Sequence, residues 1–149
     1  QANLAELGLA LAIERLDQAT YDGLLFGDTP AEERPSFLEY SWWPDYNDAW
    51  NVLYPTTSCA SWGSNGANLG FYCNEEFDAL LAEAKDASTL DTYEEVLDRA
   101  QTIITRDDPP AICYAQPTWT TVLQSNIEGF AFNPINIGTF DFWKLSRAE

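Results

Sequence analysis

The chain has 149 residues, 46% of them hydrophobic, with 24 acidic against 7 basic side chains and a net charge of −17. That length allows one ordinary core, at most one domain plus an appendage, and the apolar and aromatic content excludes a disordered chain. The acidity, together with a complete lack of histidine, argues against nucleic acid and anionic membrane surfaces as partners, and no apolar run approaches the roughly 20 residues of a membrane-spanning helix.

Taken in chain order, residues 4–7 read as a last helical turn, stopped by Gly8 just past the cap. Leu9, Leu11 and Ile13 alternate with Ala10 and Ala12, the pattern of a strand covered on both faces. Asp17 is placed to cap a helix running to about Leu25. An acidic, proline-containing loop follows over residues 27–35. Residues 37–43 read as the next strand, which delivers Trp42 to Asp45 at its carboxyl end, where open α/β sheets hold ligands. Phe77, Leu80, Leu81 and Ala84 fall at helical spacing. Tyr93, Val96, Leu97, Ala100, Ile103 and Ile104 repeat it, with Asp91 and Glu94 as a variant capping box, Arg106 in the last turn and Pro109-Pro110 as the stop. Strands are expected again at residues 111–115, 118–123 and 139–145. No internal repeat or low-complexity tract interrupts this order.

Residues 42–78 hold four of the tryptophans and three of the tyrosines, interleaved with carboxylates and amides. Aromatic faces beside acceptors suit a ligand that is polar and also flat or ring-bearing. Cys59 and Cys73 bracket a loop rich in Gly, Ser and Asn that burial alone could not order. A disulfide there would stabilise by about 3 kcal/mol in the loop-entropy model and would imply an oxidising compartment. A metal site is the rival reading, disfavoured because His and Met are both missing from the composition. Cys113, inside the apolar pattern of residues 111–115, reads as a small buried hydrophobe.

Catalysis has little support. There is no Gly-x-Ser-x-Gly turn, and pairs such as Asp45 with Asp48 or Glu75 with Glu76 arise by chance among 24 acidic residues. Phosphate-binding glycine loops are lacking, and Ala49 breaks the oxygen-ligand alternation that Asp45 and Asn47 would begin in a calcium loop. No catalytic residue, cofactor or metal is expected.

The ordered set formed by Trp42 and Asp45, residues 47–51, the Cys59 and Cys73 bracket and Phe77-Asp78-Ala79-Leu80-Leu81 resembles a known family. Upstream, residues 4–8, the apolar segment and Asp17 extend the likeness; downstream, residues 93–104 and Asp107-Asp108-Pro109-Pro110-Ala111-Ile112 do so. It is similar to the peptide-binding (dipeptide/oligopeptide) class of extracytoplasmic solute-binding proteins of ABC importers. One departure is Ala49, where that family commonly has proline. The resemblance implies an α/β fold, the carboxyl-terminal lobe of a two-lobed periplasmic-binding-protein-like fold with a mixed sheet flanked by helices. Residues 1–122 would form part of the ligand-binding lobe, and residues 123–149 would return to an amino-terminal lobe outside this chain. Phe130, Phe132, Phe140, Phe142 and Trp143 would then pack on that lobe and sit loosely here. Gln1 carries no signal-peptide pattern, which fits a chain that begins inside a longer sequence.

The same resemblance implies capture of a peptide or similar solute in a cleft between lobes and delivery to a membrane ABC permease, without chemistry. The location would be periplasmic or extracellular, with anchoring through an upstream signal as an option. Asp45 would receive the α-amino group of the peptide, although its position after Pro44 equally suits a turn residue. Trp42 and Trp43 would face opposite sides, with Trp42 toward the ligand. Tyr46 and Asn47 would add contacts, and Trp50, Trp62, Asn65 and Asn68 are further candidates that ordinary packing or turn formation also explains. An oligosaccharide on the same scaffold is the alternative ligand, and a secreted glycosidase or carbohydrate-binding module is the alternative class.

Overall fold

A computed structural model describes residues 1–63, 66–118, 120–133 and 141–148. Among the described residues, five α-helices, two short 3₁₀ turns, one π turn and one two-stranded sheet make up the regular structure. Helix α1 (Ala2–Glu6) ends as the sequence predicts. Gly8 takes φ +77°, and the amides of Leu9 and Gly8 bond back to the carbonyls of Leu4 and Ala5. That pair of bonds is a Schellman motif, which a glycine forms without the side-chain clash of a left-handed backbone. Helix α2 (Gln18–Phe26) starts at Asp17, whose carboxylate accepts the Thr20 amide and hydroxyl.

The core lies between α4 (Glu75–Lys85) and α5 (Leu90–Thr102), with α3 (Ala49–Thr57) against them. Leu53, Phe77, Leu80, Leu81, Ala84, Val96, Leu97, Ala100 and Ile103 form one buried cluster. All but Leu53 are residues that helical spacing picks out, because a stripe repeating every 3.6 residues meets a facing helix along one side. Phe77 is wholly buried, so truncating it to alanine should cost about 3–5 kcal/mol. Helix α4 is capped by Asn74, which accepts the amides of Glu76 and Phe77. The cap of α5 is Thr89, which accepts the Thr92 amide, and not the Asp91 and Glu94 pair. The helix starts one residue before Asp91, so Asp91 already lies in its first turn. After Thr102 the helix widens into a π turn, Ile103–Asp107, closed by the Asp108 amide on the Ile103 carbonyl.

The strand expectations need correction. Among the described residues the sheet consists of β1 (Ile127–Glu128) and β2 (Ser146–Arg147), antiparallel, with Ile127 opposite Arg147 and Glu128 opposite Ser146. Gly129 sits so close to the Lys144 carbonyl oxygen that a Cβ would come within 1.9 Å of it, so only glycine closes this ribbon. Residues 9–13, 37–43 and 111–115 form no ladder among the described residues, nor do the described parts of 118–123. Residues 142–144 form a 3₁₀ turn instead of a strand. Trp119, residues 139–140 and Phe140 in particular lie outside the described residues. A strand exists only where a neighbour takes its backbone N–H and C=O groups, and among the described residues these segments have no ladder partner. Cys113 is exposed, not buried, for the same reason: no sheet among the described residues takes in its segment. Leu9, Ile13, Ile112 and Val122 are likewise exposed, as are Phe142 and Trp143.

Candidate functional site

The segment expected to hold the ligand is built outward from the core. Asp48 caps α3 by accepting the Trp50 amide at 2.8 Å, as Asp before an apolar helical run should. Its same oxygen takes a 2.6 Å hydrogen bond from the Tyr93 hydroxyl of α5. One turn into α3 comes Asn51, buried at 8% exposure. Its side-chain oxygen accepts the Asp45 amide at 2.7 Å and, more weakly, the Tyr46 amide at 3.4 Å. Asn is a poor helix-interior residue because its amide competes for backbone groups; here that competition is what folds residues 45–46 back onto the helix. Pro55, within the same helix, removes the N–H that would have met the Asn51 backbone carbonyl.

The Asp45 carboxylate is exposed and bonded by no side chain among the described residues. Tyr46, Asn47 and Trp43 are exposed beside it, and Trp42 is half-buried. Trp42 lies in an aromatic run, 6.2 Å from Tyr40, which meets Phe26 edge-on at 6.0 Å. Burial pushes the Tyr40 hydroxyl up to about 12. Tyr93 is also raised, first by burial and then by its bond to the Asp48 carboxylate. Trp50 stacks flat on Tyr54 at 4.5 Å. The indole N–H groups of Trp42 and Trp50 are buried without a hydrogen-bond partner among the described residues. Asp45, Tyr46 and Asn47 are therefore brought together by Asn51 and the α3 cap, whereas Trp50 belongs to the core edge.

The cysteine bracket is a disulfide, Cys59–Cys73, with Cα atoms 4.4 Å apart. Asn68 organises the loop it closes. Buried at 1% exposure, its amide nitrogen donates to the Ser58 and Tyr72 carbonyls and its oxygen accepts the Tyr72 amide. Asn68 thus has a structural role, and Asn65 lies outside the described residues. The loop is tied to α4 through Asp78, whose carboxylate accepts the Cys59 amide. Sequence reasoning missed Asn51, Tyr93 and Asn68 as organisers. Asp48 before an apolar helix was a readable signal; Asn51 inside that helix was a weaker one.

No protein-family model matches the chain, and no solved structure does. Known proteins do match. It is 29% identical over 140 residues to di/tripeptide-binding protein 4 of Pseudomonas aeruginosa (strain UCBPP-PA14), covering 94% of this chain and 25% of that protein. This chain resembles the periplasmic peptide-binding proteins. Probable di/tripeptide-binding protein 5 of the same strain is 30% identical over 146 residues, 98% of this chain and 26% of that protein. The probable D,D-dipeptide-binding periplasmic protein DdpA of Escherichia coli (strain K12) is 27% identical over 149 residues, 99% of this chain and 27% of that protein. The chain spans about a quarter of the length of the curated relatives it matches. These relatives are named as binding proteins, not as enzymes. Among the described residues no helix is long and apolar enough to cross a membrane.

Proposed function

We propose that this chain is part of the extracytoplasmic solute-binding component of an ABC importer, that the solute is a short peptide, and that Asp45 receives its α-amino group. The observation that carries the reading is the match to di/tripeptide-binding proteins across 94–98% of the chain. In this reading residues 1–122 belong to the carboxyl-terminal, ligand-binding lobe and residues 123–149 return to the amino-terminal lobe. The exposure of Leu9, Ile13, Ile112, Val122, Phe142 and Trp143 supports it, because apolar surface on this scale is ordinarily covered. The site chemistry supports it too. Asn51 holds the Asp45 backbone while leaving the carboxylate exposed, so a fixed negative charge waits for a cation. Lobe closure would desolvate that pair, and a charge partner so buried contributes strongly to binding.

The test is peptide affinity of the intact protein by calorimetry. Asp45→Asn should weaken binding by about 2–5 kcal/mol, and N-acetylated peptides should bind the parent protein poorly. Equal affinity for free and acetylated peptides would mean that Asp45 does not hold the amine, and would favour an oligosaccharide as the solute.

A further inference from the structure

A second concavity lies away from the Asp45 residues, between the acidic loop after α2 and the disulfide loop. Its volume is about 480 Å³, and its walls include Pro30, Arg34, Trp62 and Phe71, with Asp28 and Glu32 among its lining residues. Arg34 builds it. The guanidinium donates to the carbonyls of Leu25, Gly27 and Thr29 at 2.9, 3.0 and 3.1 Å and lies 4.8 Å from the Phe71 ring centroid. Its N–H donors are thereby committed to three carbonyls and its face to an aromatic ring, although its positive charge remains in the wall. Phe71 is the one non-glycine residue with positive φ, +53°, among the described residues. A bulky residue in that backbone region is strained, and such strain persists only where surrounding contacts hold it. Trp62 stands 5.5 Å from Phe71 and is 51% exposed, so its indole is open to a ligand. Asp28 and Glu32 are exposed and form no ion pair among the described residues.

Apolar walls, an accessible indole and two carboxylates outside any ion pair among the described residues, against the single charge of Arg34, are the elements of a cation-binding cage. From them we infer a ligand site for an alkylguanidinium or alkylammonium group, such as an arginine or lysine side chain. The methylene stem lies along Pro30 and Trp62, and the charge meets the indole face and the two carboxylates. The inference is independent of the role assigned to Asp45. A chain of this acidity concentrates cations near its surface, but only the cage distinguishes one that carries an apolar stem.

The test is titration of the intact protein with N-acetyl-arginine methylamide, followed by calorimetry and by the indole N–H resonance assigned to Trp62 through Trp62→Phe. Acetylation removes the α-amine, so the Asp45 carboxylate has no amine to capture. Agmatine and the neutral citrulline amide serve as further arms. The expected result is binding of both guanidinium probes, about tenfold tighter than citrulline, with a shifted Trp62 signal. Trp62→Leu and Asp28→Asn/Glu32→Gln should each weaken it several-fold. Asp28 and Glu32 are exposed and form no ion pair among the described residues, so the carboxylate variant reads the site even where Trp62→Leu loosens the Phe71 contact. Agmatine binding alone would overturn the inference, because its free amine is open to Asp45; binding of the amide as well supports a site for peptide side chains. Equal affinity for citrulline, no binding of any probe, or binding lost in Asp45→Asn but retained in the cage variants would each overturn the inference. The last outcome would leave the role proposed for Asp45 standing.

Discussion

The Tyr93 hydroxyl donates a 2.6 Å hydrogen bond to Asp48 Oδ1 across 45 residues of sequence, joining α5 to the cap of α3. Through α3 that bond continues to Asn51, and through Asn51 to the backbone of Asp45. The candidate ligand carboxylate therefore hangs from the helical core by two side-chain hydrogen bonds and one helix cap.

Tyr93→Phe removes the first link while keeping the ring. A loss of about 1 kcal/mol in unfolding free energy is expected, the net worth of an ordinary hydrogen bond. Asp48→Ala loses the cap as well, for about 1–2 kcal/mol. Because the two residues share one bond, the double variant should cost less than the sum. Urea denaturation of the four proteins checks this, and strict additivity would refute the coupling.

Asn51→Leu keeps the side-chain volume and deletes the acceptor for the Asp45 and Tyr46 amides. The Asp45 carboxylate remains but loses its anchor, so peptide affinity should fall about tenfold with a stability loss of about 1–3 kcal/mol. Calorimetric titration with a free dipeptide reads the first effect, and undiminished affinity would show that the anchor does not matter to binding.

Asn68 and the Cys59–Cys73 disulfide hold the same loop. Replacing both cysteines by serine should cost about 3 kcal/mol in the loop-entropy model. Asn68→Ala leaves the Tyr72 amide and the buried carbonyls around it without partners, for about 2–3 kcal/mol. Combined, the losses should be less than additive, since a loop already released has little order left to lose. Thermal unfolding of the three variants supplies the comparison.

Asp78 contributes a pH dependence of its own. Burial raises its carboxyl above the ordinary 3.8, a shift only partly offset by the Cys59 amide that the carboxylate accepts. A group raised in the folded state contributes stability that is present below 3.8 and lost as pH rises through its folded value. Asp78→Asn keeps an acceptor for the Cys59 amide and removes the charge. The variant should therefore be more stable than the parent near about pH 7, with the advantage closing near about pH 3. Urea midpoints at the two values decide it; a variant less stable than the parent at the higher pH would contradict it.

Helices were legible because their signal is local. The Asp17 cap, the Gly8 stop and the stripes running from Phe77 to Ala84 and from Tyr93 to Ile104 each lie within a few turns of one another. Burial then follows from periodicity. The cysteine bracket was legible because two thiols around a loop rich in Gly, Ser and Asn have few other uses. The extended segments were not, since alternation in residues 9–13 or 37–43 reports a preference, and a strand also requires a partner for its backbone groups. Asn51 on Asp45, Tyr93 on Asp48 and Arg34 on Phe71 were decided only by tertiary structure. The last two join positions on different elements, at a separation that no local pattern encodes, and the first depends on a helix-interior Asn turning its side chain back to the preceding loop. The sequence by itself determined which residues of α4 and α5 would turn inward. Only the packing of α3 on α5 decided where the Asp45 carboxylate would stand.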